Sequence, residues 1–183
     1  MGTVRLLTVG HGTLSADDLA GLVGGAGATH LVDVRSMPGS RRHPQFAKDK
    51  MEGWLGEAGI TYRWDPALGG RRRASTGSPN TALRDPAFRG YADHMASPEF
   101  SLALDRLLDE AAARTTAAMC AESLWWRCHR RLPADAAVLL RGAAVVHLDH
   151  RGQLHEHRVT DGARVAGDLV VYDVGSPPHL PGI

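Results

Sequence analysis

The stretch from Cys120 to Arg131 (Cys-Ala-Glu-Ser-Leu-Trp-Trp-Arg-Cys-His-Arg-Arg) is the chain's densest concentration of reactive side chains. Cys120 can serve as a nucleophile if nearby cations or a helix N-terminus depress its thiol pKa. Its plainer reading is a small buried apolar residue. Glu122, two residues on, suits a general acid/base or a substrate clamp; the alternative is a salt bridge to an arginine. Cys128 and His129 open the following helix, beside Arg127 and Arg130. A metal centre would combine Cys120, Cys128 and His129, with His11 as a further donor. C-x7-C-H is not a standard zinc spacing, and neighbouring residues do not easily aim at one ion. No cofactor is therefore expected, and a metal or redox centre ranks last.

Three further segments carry polar groups. His11 stands between Gly10 and Gly12, where glycine lets a ligand approach the backbone; there it would be a donor or an acid/base, or else simply solvated. Asp33 either caps a turn and pairs with Arg35, or orients a base or a cationic ligand. Arg35, Arg41 and Arg42 form one cluster and Arg71, Arg72 and Arg73 another, behind Gly69 and Gly70. Guanidinium forks suit phosphate or carboxylate. Neither a Walker loop nor a dinucleotide fingerprint is present. His147, His150, His155 and His157 read as surface histidines of an edge hairpin rather than a metal cluster. Trp125 and Trp126 can stack bases or sugars, with core packing preferred for at least one.

The elements that position these groups follow from periodicity. Apolar runs at 4–9, 30–34, 60–64, 115–120 and 145–148 read as strands. Helices are predicted from Ser15, an N-cap with Asp18 at the capping-box position, and over 48–58, 85–95, 99–114 and 132–141. Residues 65–81 form a long irregular segment of the binding-loop or lid kind. Alternating strands and helices predict an α/β fold with a mainly parallel sheet and helices on both faces. Such sheets bind ligands at the carboxyl ends of their strands, which here are followed by His11, by Asp33–His43, by Gly69–Arg71 and by Cys120–Arg131. Residues 1–175 are expected to be a single domain. Within it, 150–175 form a small β addition in which 155–159 and 169–172 either pair with each other or extend an edge. Residues 176–183 are expected to be an extended proline-rich tail.

Composition narrows the class. The 183 residues carry a net charge of +1, with two lysines against nineteen arginines. No apolar run reaches the roughly 20 residues a membrane helix needs, and the start lacks the pattern of a secretory signal. Two cysteines do not make a disulfide scaffold, so the expected compartment is the reducing cytoplasm.

Taken together, Val9-Gly10-His11-Gly12, Leu31 through Arg42, Leu68-Gly69-Gly70-Arg71, Gly90 through Met95, and Met119-Cys120-Ala121-Glu122 followed by Trp126 through Arg131 resemble the bacterial and archaeal family of domain of unknown function 488. The resemblance spans about residues 5–160. The family usually has Ser at the position of Gly12 and no proline at that of Pro133. It implies a compact cytosolic α/β protein without a settled reaction. It adds Tyr91 to the candidate residues and includes His11, Asp33, Arg35, Arg41, Arg42, Gly69, Gly70, Arg71, Cys120, Glu122, Cys128, His129 and Arg130.

The leading expectation is an enzyme, hydrolase or transferase, acting on a phosphorylated or nucleotide-like substrate. Nucleic acid falls within that class. Arginines would bind phosphate, Glu122 and His11 would move protons, and Cys120 would be nucleophile or pocket wall. The alternative is a non-catalytic module for nucleic acid or an anionic metabolite.

Overall fold

The computed structural model describes residues 2–39 and 41–174; the proline-rich segment 176–183 lies outside them. Five parallel strands form the body of one sheet: β1 (Arg5–Gly10), β2 (His30–Asp33), β3 (Thr61–Trp64), β4 (Thr116–Cys120) and β5 (Ala144–Leu148). A short β6 (Leu154–Glu156) runs antiparallel to β5, giving the order β3-β2-β4-β1-β5-β6. The central strands are buried on both faces, and so read as continuous apolar runs rather than alternating ones.

Five helices cover the sheet: α1 (Ala16–Gly25), α2 (Lys48–Glu57), α3 (Pro86–His94), α4 (Pro98–Ala113) and α5 (Arg131–Arg141). Leu19 and Val23 of α1 and Met51 and Leu55 of α2 pack on the face presenting Leu7, Val9, Leu31 and Met119. Tyr91 of α3, Phe100 and Leu104 of α4, and Leu132 and Ala136 of α5 pack on the face presenting Leu6, Val32, Val34 and Cys120. Ser15 caps α1 as expected, accepting from the Asp18 amide while the Asp18 carboxylate accepts from the Ser15 amide.

The crossovers follow one hand. The chain moves from β1 to β2 and on to β3 through α1 and α2 on one face. It returns from β3 to β4 and on to β5 through α4 and α5 on the other. Uniform handedness of parallel crossovers requires this change of face when the direction reverses. Adjacent strands β1 and β4 therefore send their chains to opposite faces, which opens a crevice beyond their carboxyl ends.

The C-terminal region forms the small β addition expected, divided between the edge of the main sheet and a separate hairpin. Residues 155–159 and 169–172 do not pair with each other. β6 joins the main sheet, while β7 (Ala163–Ala166) and β8 (Leu169–Tyr172) form a separate two-stranded sheet about a two-residue turn, Gly167-Asp168. The histidines expected at the surface are also redistributed. His147 is buried, its Nδ1 2.6 Å from Thr8 Oγ1 and its Nε2 2.9 Å from His157 Nδ1. His157 Nε2–H donates to Asp135 (2.8 Å), whose other oxygen accepts from the Tyr172 hydroxyl (2.8 Å). Burial, with the charges of His157 and Arg130, lowers His147 to about 3 and keeps it neutral. This polar chain ties β1, β5, α5 and the β7–β8 hairpin together.

Candidate active site at the carboxyl edge of the sheet

Cys120 ends β4 and faces α5. The chain then loops through a 3-10 turn, Trp125–Arg127, and returns at Cys128 and His129 before α5 begins. Arg130 holds this loop: its buried guanidinium donates to the carbonyls of Glu122 and of Ser123 (2.9 Å). Gly10 makes room for it, because a Cβ there would run into the Glu122 carbonyl. The ladder between β1 and β4 continues past both strands, with the His11 amide donating to Cys120 O and the Gly12 amide to Ala121 O, each at 2.9 Å.

The return loop brings Cys128 and His129 onto Cys120. His129 Nδ1 lies 3.6 Å from Cys120 Sγ and 3.7 Å from Cys128 Sγ. All three donor atoms fall within 4.8 Å of one another, the one group of this kind among the described residues. Cys128 and His129 thus converge despite being adjacent in sequence, because the nitrogen with the shorter reach turns back over its neighbour's sulfur. His129 Nε2–H donates to the Leu68 carbonyl (3.2 Å), which leaves Nδ1 as the bare nitrogen. Tyr91 is buried beneath it, ring centroids 5.0 Å apart, and donates its hydroxyl to the same carbonyl (2.9 Å). Gly70 closes over the imidazole, where a Cβ would strike the ring. Both cysteines are buried and reduced. The Cys128 thiol donates to Cys120 and holds the Cys120 thiol well below its ordinary pKa against the opposing effect of burial. The same bond, together with burial, pushes Cys128 up.

On the other wall, His11 stacks on Phe46 at 4.1 Å between centroids. Its Nδ1–H donates to the Gly12 carbonyl (2.9 Å), so Nε2 is the acceptor, 3.4 Å from Arg35 Nη1. Burial and the Arg35 charge lower His11 to about 4. Arg35 is itself engaged, since Asp33 receives its Nε (2.8 Å) and Nη2 (2.6 Å) along with the Tyr62 hydroxyl (2.8 Å). Asp33 thus caps the Arg35 turn and pairs with its guanidinium. Burial and the Asp33 charge raise the Tyr62 pKa.

The remaining sequence candidates lie around this centre. Glu122 is exposed and accepts from the Leu124 amide (3.1 Å) and, more weakly, from the Ser123 hydroxyl (3.5 Å), so its carboxylate caps its own loop. Gly69 packs against Ser36, whose hydroxyl accepts from the Arg71 amide (3.0 Å). The side chains of Arg41, Arg42, Arg71 and Arg127 are exposed. An open cleft of about 590 Å³ lies farther along the β4–α5 loop. It is lined in part by Arg84, Phe88, Trp125, Trp126, Arg131 and Arg158, but by neither Cys120 nor His11. Trp125 stacks on His147 (4.1 Å, 6° between planes), whereas Trp126 is 52% exposed.

Sequence reasoning missed Asp93, which gathers the 69–81 segment. It accepts from the Ser75 amide and hydroxyl (2.8 Å each), from Ser78 (2.5 Å) and from Asn80 (2.8 Å). A serine-rich, glycine-rich loop facing a lone helical aspartate was the available signal.

No helix among the described residues is long and apolar enough to cross a membrane. Neither the curated proteins nor the solved structures contain a match to this chain. A family model described as domain of unknown function DUF488 matches residues 15–137, two thirds of the chain, so the protein belongs to the DUF488 family.

Proposed function

We propose that the protein is an enzyme acting on a phosphorylated or nucleotide-like substrate bound at the carboxyl ends of β1, β2 and β4. The observation that carries this reading is that His11 and Cys120 lie side by side at the ends of β1 and β4, the His11 amide bonded to the Cys120 carbonyl, where the two strands send their chains to opposite faces. Ligands of open α/β sheets bind at such switch points. His11 supplies a fixed, unprotonated Nε2 beside Arg35 on one wall. The cluster of Cys120, Cys128 and His129 supplies the reactive centre on the other.

Charge and aromaticity support the substrate class. The ion pairs among the described residues engage none of Arg71, Arg72, Arg73, Arg127 or Arg131, which keeps the rim of this edge cationic. The neighbouring cleft sets an exposed indole beside three arginines, an arrangement that suits a base and its phosphate.

Thermal-shift titration at two salt concentrations tests the reading, with inorganic phosphate, a nucleoside monophosphate, a short single-stranded oligonucleotide and an uncharged nucleoside as probes. Phosphorylated probes should raise Tm, more so at low salt, and less in a combined Arg71→Ala, Arg72→Ala variant. Equal responses to charged and uncharged probes, or none, would reject the substrate class. Probes that bind are then assayed for conversion by wild type and His11→Asn. Binding without conversion leaves the non-catalytic module, while conversion lost in His11→Asn with binding retained supports the enzyme.

A further inference from the structure

The group formed by Cys120, Cys128 and His129 has the geometry of a metal centre. In a tetrahedral site, metal–sulfur bonds of about 2.3 Å and metal–nitrogen bonds of about 2.0–2.1 Å place sulfur and nitrogen about 3.6 Å apart. The two distances from His129 Nδ1 to the sulfurs are 3.6 and 3.7 Å. A hydrogen-bonded pair of thiols does not by itself require an imidazole nitrogen equidistant from both. The orientation of the ring is the second, independent observation. Metal-ligating histidines characteristically donate their other N–H to a carbonyl or carboxylate, and His129 Nε2–H is committed to the Leu68 carbonyl. That carbonyl also accepts from the buried Tyr91 hydroxyl, and Gly70 lets the backbone close over the ring. The ligand nitrogen is thereby fixed in tautomer, direction and depth by Leu68 and Gly70 of one segment and Tyr91 of α3.

We propose that Cys120 Sγ, Cys128 Sγ and His129 Nδ1 bind one divalent ion of the zinc class. Two thiolates and an imidazole are a soft donor set, which selects zinc over magnesium or calcium. Binding replaces the thiol protons, which pass to solvent, and forms two metal–sulfur bonds and one metal–nitrogen bond without any change of oxidation state. Two thiolates balance the charge of the ion, so the buried site as a whole is neutral. Three protein donors leave a tetrahedral ion one position for water or a substrate atom, the form that distinguishes catalytic from structural zinc. The site goes beyond the reading of the crevice, since anion binding there needs no ion. With the metal bound, Cys120 is a ligand, and the chemistry of the crevice belongs to the fourth position.

Reduced, metal-free protein titrated with cobalt(II) provides the test. The expected result is thiolate-to-cobalt charge-transfer absorption with tetrahedral d–d bands, saturating at one equivalent and bleached by zinc. Cys120→Ser and Cys128→Ser should each lose most of the charge-transfer intensity, and His129→Gln should shift the d–d bands. One equivalent of zinc should also protect both thiols of the wild type from alkylation, a readout that holds even where a serine variant fails to fold. Cobalt spectra lacking thiolate bands, or thiols alkylated equally fast with and without zinc, would overturn the proposal. The thermal-shift series above, run on metal-free protein, reports on the anion reading separately.

Discussion

Asp33 shows how much a single side chain carries at this sheet edge. Its carboxylate is fully buried and receives the Arg35 fork, the Arg35 amide and the Tyr62 hydroxyl. Arg35 in turn points its remaining nitrogen at His11. Removing one member of a buried ion pair strands the other without water, at a cost of roughly 3–5 kcal/mol. Asp33→Ala should therefore lower unfolding stability by about that amount, whereas Tyr62→Phe should lose about 2 kcal/mol. Urea denaturation of both variants measures the difference. Equal losses would mean that Asp33 serves only as an acceptor for Tyr62. The pairing was legible in the sequence because it is local, two residues apart on one turn. Cys120, Cys128 and His129 could be named together as the members of a metal centre, ranked last, but the loop that makes them converge was not legible. Their convergence depends on the path of that loop, which Arg130 sets by holding the Glu122 and Ser123 carbonyls and Gly10 by leaving room from distant β1.

Among the elements, α3 anchors the segment from Gly69 to Thr81. Asp93 receives four hydrogen bonds from it, and these hold the carboxyl below its ordinary pKa despite the opposing effect of burial. The native pKa is lower than the unfolded one, so the anchor acts in full above the ordinary carboxylate range and is lost as pH falls through the lowered native value. Limited proteolysis of the segment should be slow at neutral pH and accelerate severalfold in acid. Asp93→Asn should be cut rapidly even at pH 7, with a flatter pH response. Equal cleavage rates for the two proteins at neutral pH would show that the loop is held elsewhere. Elements defined by local signals were readable, among them α1 with its capping box and the five apolar strands. Strand β8, 169–172, was readable, but its partner β7 was missed although Gly167-Asp168 is a two-residue turn of the hairpin kind. Ala163-Arg164-Val165-Ala166 offers only one β-branched residue to mark a strand. The insertion of β4 between β2 and β1 leaves no local trace, because strand order is a property of the packed crossovers.

At the scale of the molecule, the polar chain from Thr8 through His147, His157 and Asp135 to Tyr172 makes the C-terminal hairpin part of the central structure. Tyr172 extends it, its amide donating to Asn80, which also bonds Asp93. The hairpin thus bears on the same loop that Asp93 anchors. The arginine loops, the crevice and the Trp126 cleft share the side of the sheet on which the parallel strands end.

The position of β1 between β4 and β5 has a consequence for how the chain can be divided. The stretch that the family model matches, 15–137, omits β1, β5 and β6, so a fragment with those limits would keep only β3, β2 and β4, one half of the sheet. Its β4 would offer unpaired amides along one whole side, and Asp135 would face water instead of His157 and Tyr172. Such a polypeptide should exchange its backbone hydrogens within the dead time of a manual experiment and bind a hydrophobic dye. In the intact chain, β1 and β4 should be the last to exchange. Slow exchange in the fragment would mean that the minimal cooperative unit is smaller than the sheet itself.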